Sequence, residues 1–115
     1  MKKKPVPTQA LQRQYQQLCV GLAHTGYISQ GSVLDRSRLR PPRSGYQWTR
    51  KLARKTITIA LSPEQFQALS QAIQNRRHLQ KTIQRMEKLS RQILFGTLPD
   101  TRRRKSLPKK ALGLI

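Results

Sequence analysis

At 115 residues this chain has room for one modest domain, and its 24 lysines and arginines against four acids give it a formal charge of +20. Charge of that density repels itself in a compact state and points to a polyanionic partner, nucleic acid first, because every neutralised phosphate releases condensed counterions. Six aromatic residues are too few for a repeated base-stacking platform, and the single cysteine excludes an internal disulfide and a cysteine-rich zinc site.

Residues 1–7 read as a flexible basic lead. Lys2-Lys3-Lys4 is followed by Pro5, Pro7 and glutamines rather than an apolar stretch, so no signal peptide is expected. Thr8 suits a helix N-cap, and Leu11, Tyr15, Leu18 and Leu22 recur at spacings of four, three and four. This predicts an amphipathic helix over 9–25, ended by Gly26 in a left-handed cap. Cys19, inside an apolar run, is expected as a buried structural thiol.

From Tyr27 to Gly45 the chain turns to glycine, serine and proline, with Pro41-Pro42 forbidding a helix across the middle. Ile28 and Val33-Leu34 suit short extended pieces. Arg36, Arg38, Arg40 and Arg43 crowd this stretch, with Asp35 its one acid, and are candidate phosphate contacts. Tyr46 to Leu61 alternates as a hairpin should, turning near Leu52-Ala53-Arg54 without an Asn-Gly signal. Trp48 is expected as a core anchor, and Arg50, Lys51, Arg54 and Lys55 join the candidate phosphate contacts.

Ser62-Pro63-Glu64-Gln65 is a helix start: serine caps, proline fits the first turn, glutamine closes a reciprocal capping box. The helix should run to about Phe95, where Gly96 and Pro99 stop it. Leu79, Ile83, Met86, Ser90 and Ile93 cluster on one side as an apolar, coiled-coil-like seam. Arg77, Lys81, Arg85, Lys88 and Arg91 gather on the opposite side, a cationic stripe with only Glu87 nearby that a polyanion explains. Residues 97–115, with Arg102, Arg103, Arg104 and Lys105, read as a disordered basic tail.

The acids fall in different elements and the two histidines lack ligand-spaced neighbours. No paired-carboxylate site, metal site, phosphate-binding glycine loop or nucleophile elbow can be read, so no enzyme, cofactor or small-molecule substrate is expected. Gln47, Thr49 and Asn75 are the side chains suited to base edges.

Ile28–Leu34, Gly45-Tyr46-Gln47-Trp48-Thr49, Lys55–Ser62, Ile73-Gln74-Asn75-Arg76-Arg77 and Leu79–Leu94 together resemble an uncharacterised family of short bacterial proteins often encoded near transposases and other mobile elements. The resemblance covers about residues 9–95. Many members carry a cysteine cluster in the loop that is Leu34–Ser44 here, where arginines stand instead. The resemblance thus implies the architecture and a link to mobile DNA, without a metal site in this chain. The order of hairpin and helix also looks like the arm-binding domains of phage integrases, which insert a small sheet into the major groove and brace it with a helix.

The expected protein is α+β: a flexible basic lead, one helix–hairpin–helix domain over 8–96 with the first helix antiparallel on the long one, and a basic tail. Its expected role is non-catalytic nucleic-acid binding, DNA ahead of RNA, as a cytoplasmic or nucleoid-associated accessory factor of a mobile element, with no membrane partner. Two rivals remain: a component or assembly factor of a ribonucleoprotein, and a module that homodimerises through Leu79, Ile83, Met86 and Ile93 to meet an acidic partner.

Overall fold

The computed structural model describes residues 7–101, 110 and 113. The elements run α1 (Thr8–Ala23), β1 (Ser32–Asp35), a short 3-10 turn (Arg36–Arg38), β2 (Tyr46–Leu52), β3 (Lys55–Leu61) and α2 (Pro63–Thr97). The protein is α+β, with α1 packed on the long α2 and an antiparallel sheet in the order β1-β2-β3. These residues divide into two compact units, one holding α1 and the chain from Gln80 onward, the other Thr25–Leu79; α2 runs through both.

In the first unit α1 packs by its stripe: Leu11, Tyr15, Leu18 and Leu22 are all half-buried. The helix starts one residue early, because Pro7 occupies the N-cap and Thr8 is already helical; the carbonyl of Pro7 accepts from the Ala10 and Leu11 amides. It ends at Ala23, with His24 as C-cap. Gly26 therefore does not cap it, and its lack of a side chain serves a close approach to Asn75 instead. Cys19 is exposed, correcting the buried thiol expected for it: it falls beside the stripe rather than within it.

On α2 the buried centre of this unit is Leu89, only 4% exposed. Thr82, Met86 and Ile93 flank it as half-buried neighbours, so the seam is Thr82-Met86-Leu89-Ile93. The predicted seam was rotated: Ile83 is 43% exposed. A shift of one residue turns a helix face by about 100°, and apolar periodicity alone did not choose between Ile83 and Thr82. Ser90 remains compatible with half-burial because its hydroxyl donates to the Met86 carbonyl at 2.8 Å. Gly96 does not stop α2, which continues to Thr97; the stop is Pro99, which disfavours helical backbone at the residue before it.

In the second unit the capping box forms as read. The Gln65 amide donates to Ser62 Oγ at 3.1 Å, and the Ser62 amide donates to Gln65 Oε1 at 3.0 Å. The sheet lies against the N-terminal part of α2, where Tyr46 stacks on Phe66 with ring centroids 4.3 Å apart and Ala72 and Ile73 are buried. Beyond the predicted hairpin the sheet has a third strand, as Val33 and Leu34 pair with Trp48 and Gln47.

The loop 25–31 is tied down by single atoms. Asn75 Nδ2 donates to the Tyr27 carbonyl at 3.0 Å, the Ser29 amide to the Ala72 carbonyl at 3.3 Å, and Trp48 Nε1 to the Gln30 carbonyl at 2.9 Å. Gly31, at φ +101°, presses its backbone on Trp48, so that a methyl group there would collide with the indole and with the Thr49 carbonyl. Trp48 is thus an anchor, half-buried and held by its ring nitrogen.

Candidate nucleic-acid interface

The arginine loop is folded around one of its own members. The Arg36 amide donates to the Gly45 carbonyl at 2.9 Å, and the Arg36 carbonyl accepts from the Leu39 and Arg43 amides, each at 3.1 Å. Arg36 Nε reaches Gln47 Oε1 at 3.3 Å, which leaves this guanidinium half-buried beside β2. Arg38, Arg40 and Arg43 remain exposed. Asp35 opens the 3-10 turn by accepting from the Ser37 amide at 3.0 Å. The Ser37 hydroxyl and amide, helped by the charge of Arg38, hold its carboxyl below the usual value of 3.8.

Along β2 the alternation separates the candidate contacts. Thr49 pairs with Thr58 and Gln47 with Ala60, while Trp48 and Arg50 pair with Ile59 and Ile57. Gln47, Thr49 and Lys51 therefore share one face, and Arg50 points to the other. There its guanidinium carbon lies 5.9 Å from the Trp48 ring centroid, within cation–π range. Lys51, Arg54 and Lys55 are exposed at the hairpin end.

Ala53 and Arg54 both adopt positive φ, +49° and +69°. This is the two-residue turn that right-twisted strands require, built without the asparagine and glycine that usually relieve it. The missing Asn-Gly signal therefore left the register open in the sequence, and cross-strand packing of Tyr46, Trp48, Ile57 and Leu61 closes it.

On α2, Arg77 stands in the second unit beside Ser32, Val33 and Ile73. In the first unit Lys81 and Arg85 are exposed, while Lys88 and Arg91 are half-buried. Arg85 and Lys88 line a groove with Leu11, Gln14 and Gln92 of the helix pair. Arg85 and Lys88 thus flank the α1 seam instead of opposing it, a consequence of the rotated seam. Arg91 meets Glu87 at 4.0 Å one turn back, an exposed pair that contributes little.

Asn75, a candidate base reader, is engaged within the fold. Its Nδ2 holds Tyr27 and its Oδ1 accepts from Gln71 Nε2 at 2.9 Å, so both ends of the amide serve the fold. Of the four residues expected at a homodimer surface, Leu79, Met86 and Ile93 are half-buried within the chain and Ile83 is exposed. The expected tail cations Arg102, Arg103, Arg104 and Lys105 lie outside the described residues, as do residues 1–6 of the basic lead.

Among the described residues no three His, Cys, Asp or Glu converge as metal ligands, and no helix is long and apolar enough to cross a membrane. No family model matches the chain, and no curated protein or solved structure matches it significantly.

Proposed function

We propose that this protein binds nucleic acid, duplex DNA in particular, through phosphate contacts and without catalysis, as an accessory factor of a mobile element. The observation that carries the reading is the charge imbalance: four acids can neutralise at most four of 24 cations, even if every one were paired. The excess stands in both units of the described residues. In the second unit it lies on the arginine loop and hairpin end, and in the first on Lys81 and Arg85 of α2. Like charges one helical turn apart destabilise a helix, so an evolved stripe of them is best explained by an anion that relieves the repulsion. The mobile-element role rests on the family resemblance alone.

The test is a salt titration of binding to a mixed-sequence DNA duplex, followed by fluorescence anisotropy. If 6–10 cations touch phosphates, affinity falls about 10³- to 10⁵-fold between 50 and 200 mM salt. Lys81→Gln with Arg85→Gln, both exposed, should leave folding intact and lower the slope of log affinity on log salt by about one unit per lost contact. A flat titration would overturn the reading in favour of an acidic protein partner.

A further inference from the structure

The sheet has two edges, and they are built differently. Sheet edges carry unpaired backbone groups, and proteins protect them with short strands, lysine, proline or bulges. β1 is protected by length: it has four residues, and Val33, Leu34 and Asp35 are half-buried. β3 has seven residues and pairs with β2 one for one along all of them, without a bulge. From Thr56 to Pro63 it carries no charged residue, in a chain whose formal charge is +20. None of the usual devices guards this edge beyond Lys55.

Strand parity decides what the edge presents. The two-residue turn at Ala53-Arg54 makes Leu52 and Lys55 a hydrogen-bonded pair. Alternation then puts Arg50 with Ile57, Trp48 with Ile59 and Tyr46 with Leu61 in the same class. The amides and carbonyls of Thr56, Thr58 and Ala60 therefore point away from β2. All three residues are exposed, and no backbone group among the described residues bonds to them from that side. Ile59, on the sheet face that carries Trp48, is 48% exposed although it lies in a strand. Free donors and acceptors beside an open isoleucine are what an added strand satisfies.

We propose that β3 pairs antiparallel with β3 of a second copy of this chain, about a two-fold axis at Thr58, to give a continuous six-stranded sheet. In that register Thr58 faces the partner's Thr58, Thr56 faces the partner's Ala60, and Ile57 faces the partner's Ile59. The stretch Thr56-Ile57-Thr58-Ile59-Ala60 reads almost alike in both directions, which is what an isologous contact needs. The three outward residues of each strand exchange about six backbone hydrogen bonds, and the isoleucine pairs fall in the class whose side chains approach most closely.

Charge favours a second copy over an acidic strand from elsewhere. An acidic strand would meet no cation along this edge after Lys55. In the self-paired register Lys55 faces the partner's Leu61, and the two Lys55 side chains stand about 20 Å apart along the strands, beyond the Debye length of about 8 Å. The contact is confined to two short strands, so it falls below the roughly 1,600 Å² of a standard interface and should be concentration-dependent. It uses a surface separate from the α2 seam, and it stands whether or not the chain binds nucleic acid.

The test is sedimentation equilibrium of the full chain over a range of concentrations, with amide hydrogen exchange on the same samples. A monomer–dimer equilibrium is expected, and the dimer fraction should rise with salt as repulsion between the two cationic copies is screened. Exchange at Thr56, Thr58 and Ala60 should slow as concentration rises, whereas Ile57 and Ile59 should be protected throughout by β2. Thr58→Lys sets two like charges directly opposite each other, and Thr58→Pro removes an outward amide that β2 does not use. Each should weaken dimerisation at least about tenfold. Unchanged tryptophan emission checks that the fold is kept, and Thr58→Lys carries the test if the proline variant does not fold.

The proposal is overturned if the chain is monomeric at every concentration and salt, or if Thr58→Lys dimerises as the parent does. It is also overturned if exchange at Thr56, Thr58 and Ala60 is independent of concentration, since a dimer would then be held by another surface. None of these results alters the salt titration that tests nucleic-acid binding.

Discussion

The two units are held together by different physics. Around Leu89, contact is made by volume: a stripe of Leu11, Tyr15, Leu18 and Leu22 with Thr82, Met86 and Ile93 of α2. Around Trp48, contact is made by position. One ring nitrogen, one asparagine amide and one glycine Cα fix where the loop 25–31 runs. The first kind of packing tolerates exchange of apolar side chains and fails gradually, whereas the second fails at particular atoms.

The largest effect that sharpens this contrast is expected at the volume-packed centre. Leu89→Ala should cost about 2–5 kcal/mol, because it empties the most buried position of that unit. Ile83→Ala, at 43% exposure, should cost well under half as much. Urea melts of the two variants check the pair, and equal losses would mean that the seam passes through Ile83 after all.

In the other unit, Gly31→Ala adds one carbon yet should cost roughly 2–4 kcal/mol, since it combines left-handed backbone with a collision at Trp48. A thermal melt reads the loss, and tryptophan emission should shift as the indole loses its fixed place. If the variant melts like the parent, the loop is not positioned by this approach and the contrast between the units breaks.

The smallest effect is at the arginine loop. The carboxyl of Asp35 is held below 3.8 in the folded state, so its contribution is present above that pH and is lost only as pH falls through the lowered value. The Ser37 amide resonance should therefore titrate with a midpoint below 3.8. A midpoint at or above 3.8 would show that the turn is not closed by this carboxylate.

Much of this architecture is legible in the residues. The capping box at Ser62 and Gln65 is a local device, complete within four positions, and it forms as its sequence requires. The alternation of Tyr46–Leu61 marks both strands of the hairpin, while the register that the turn residues left open is set by cross-strand packing. The seam of α2 was harder. Leu79, Met86 and Ile93 lie where the apolar spacing puts them, but Thr82 competes with Ile83 for the facing position, and hydropathy favours the wrong one. The third strand was legible only as the extended pair Val33-Leu34, since a four-residue edge strand carries too short a pattern to name its partner. Candidate contacts divide in the same way. Charge marks Arg50 and Lys51 alike, yet strand parity sends one onto Trp48 and the other outward.

The sequence by itself therefore determined the element types and the excess of positive charge, because caps, periodicity and ionisation are properties of neighbouring residues. Only the tertiary structure decided which cations share a face, that Asn75 ties down the Tyr27 carbonyl, and that Gln47 and Thr49 stand together on one face of a three-stranded sheet. Those outcomes depend on which distant segments meet. That choice is made by the shape of Trp48 against Gly31 and of Phe66 against Tyr46, which no local pattern encodes.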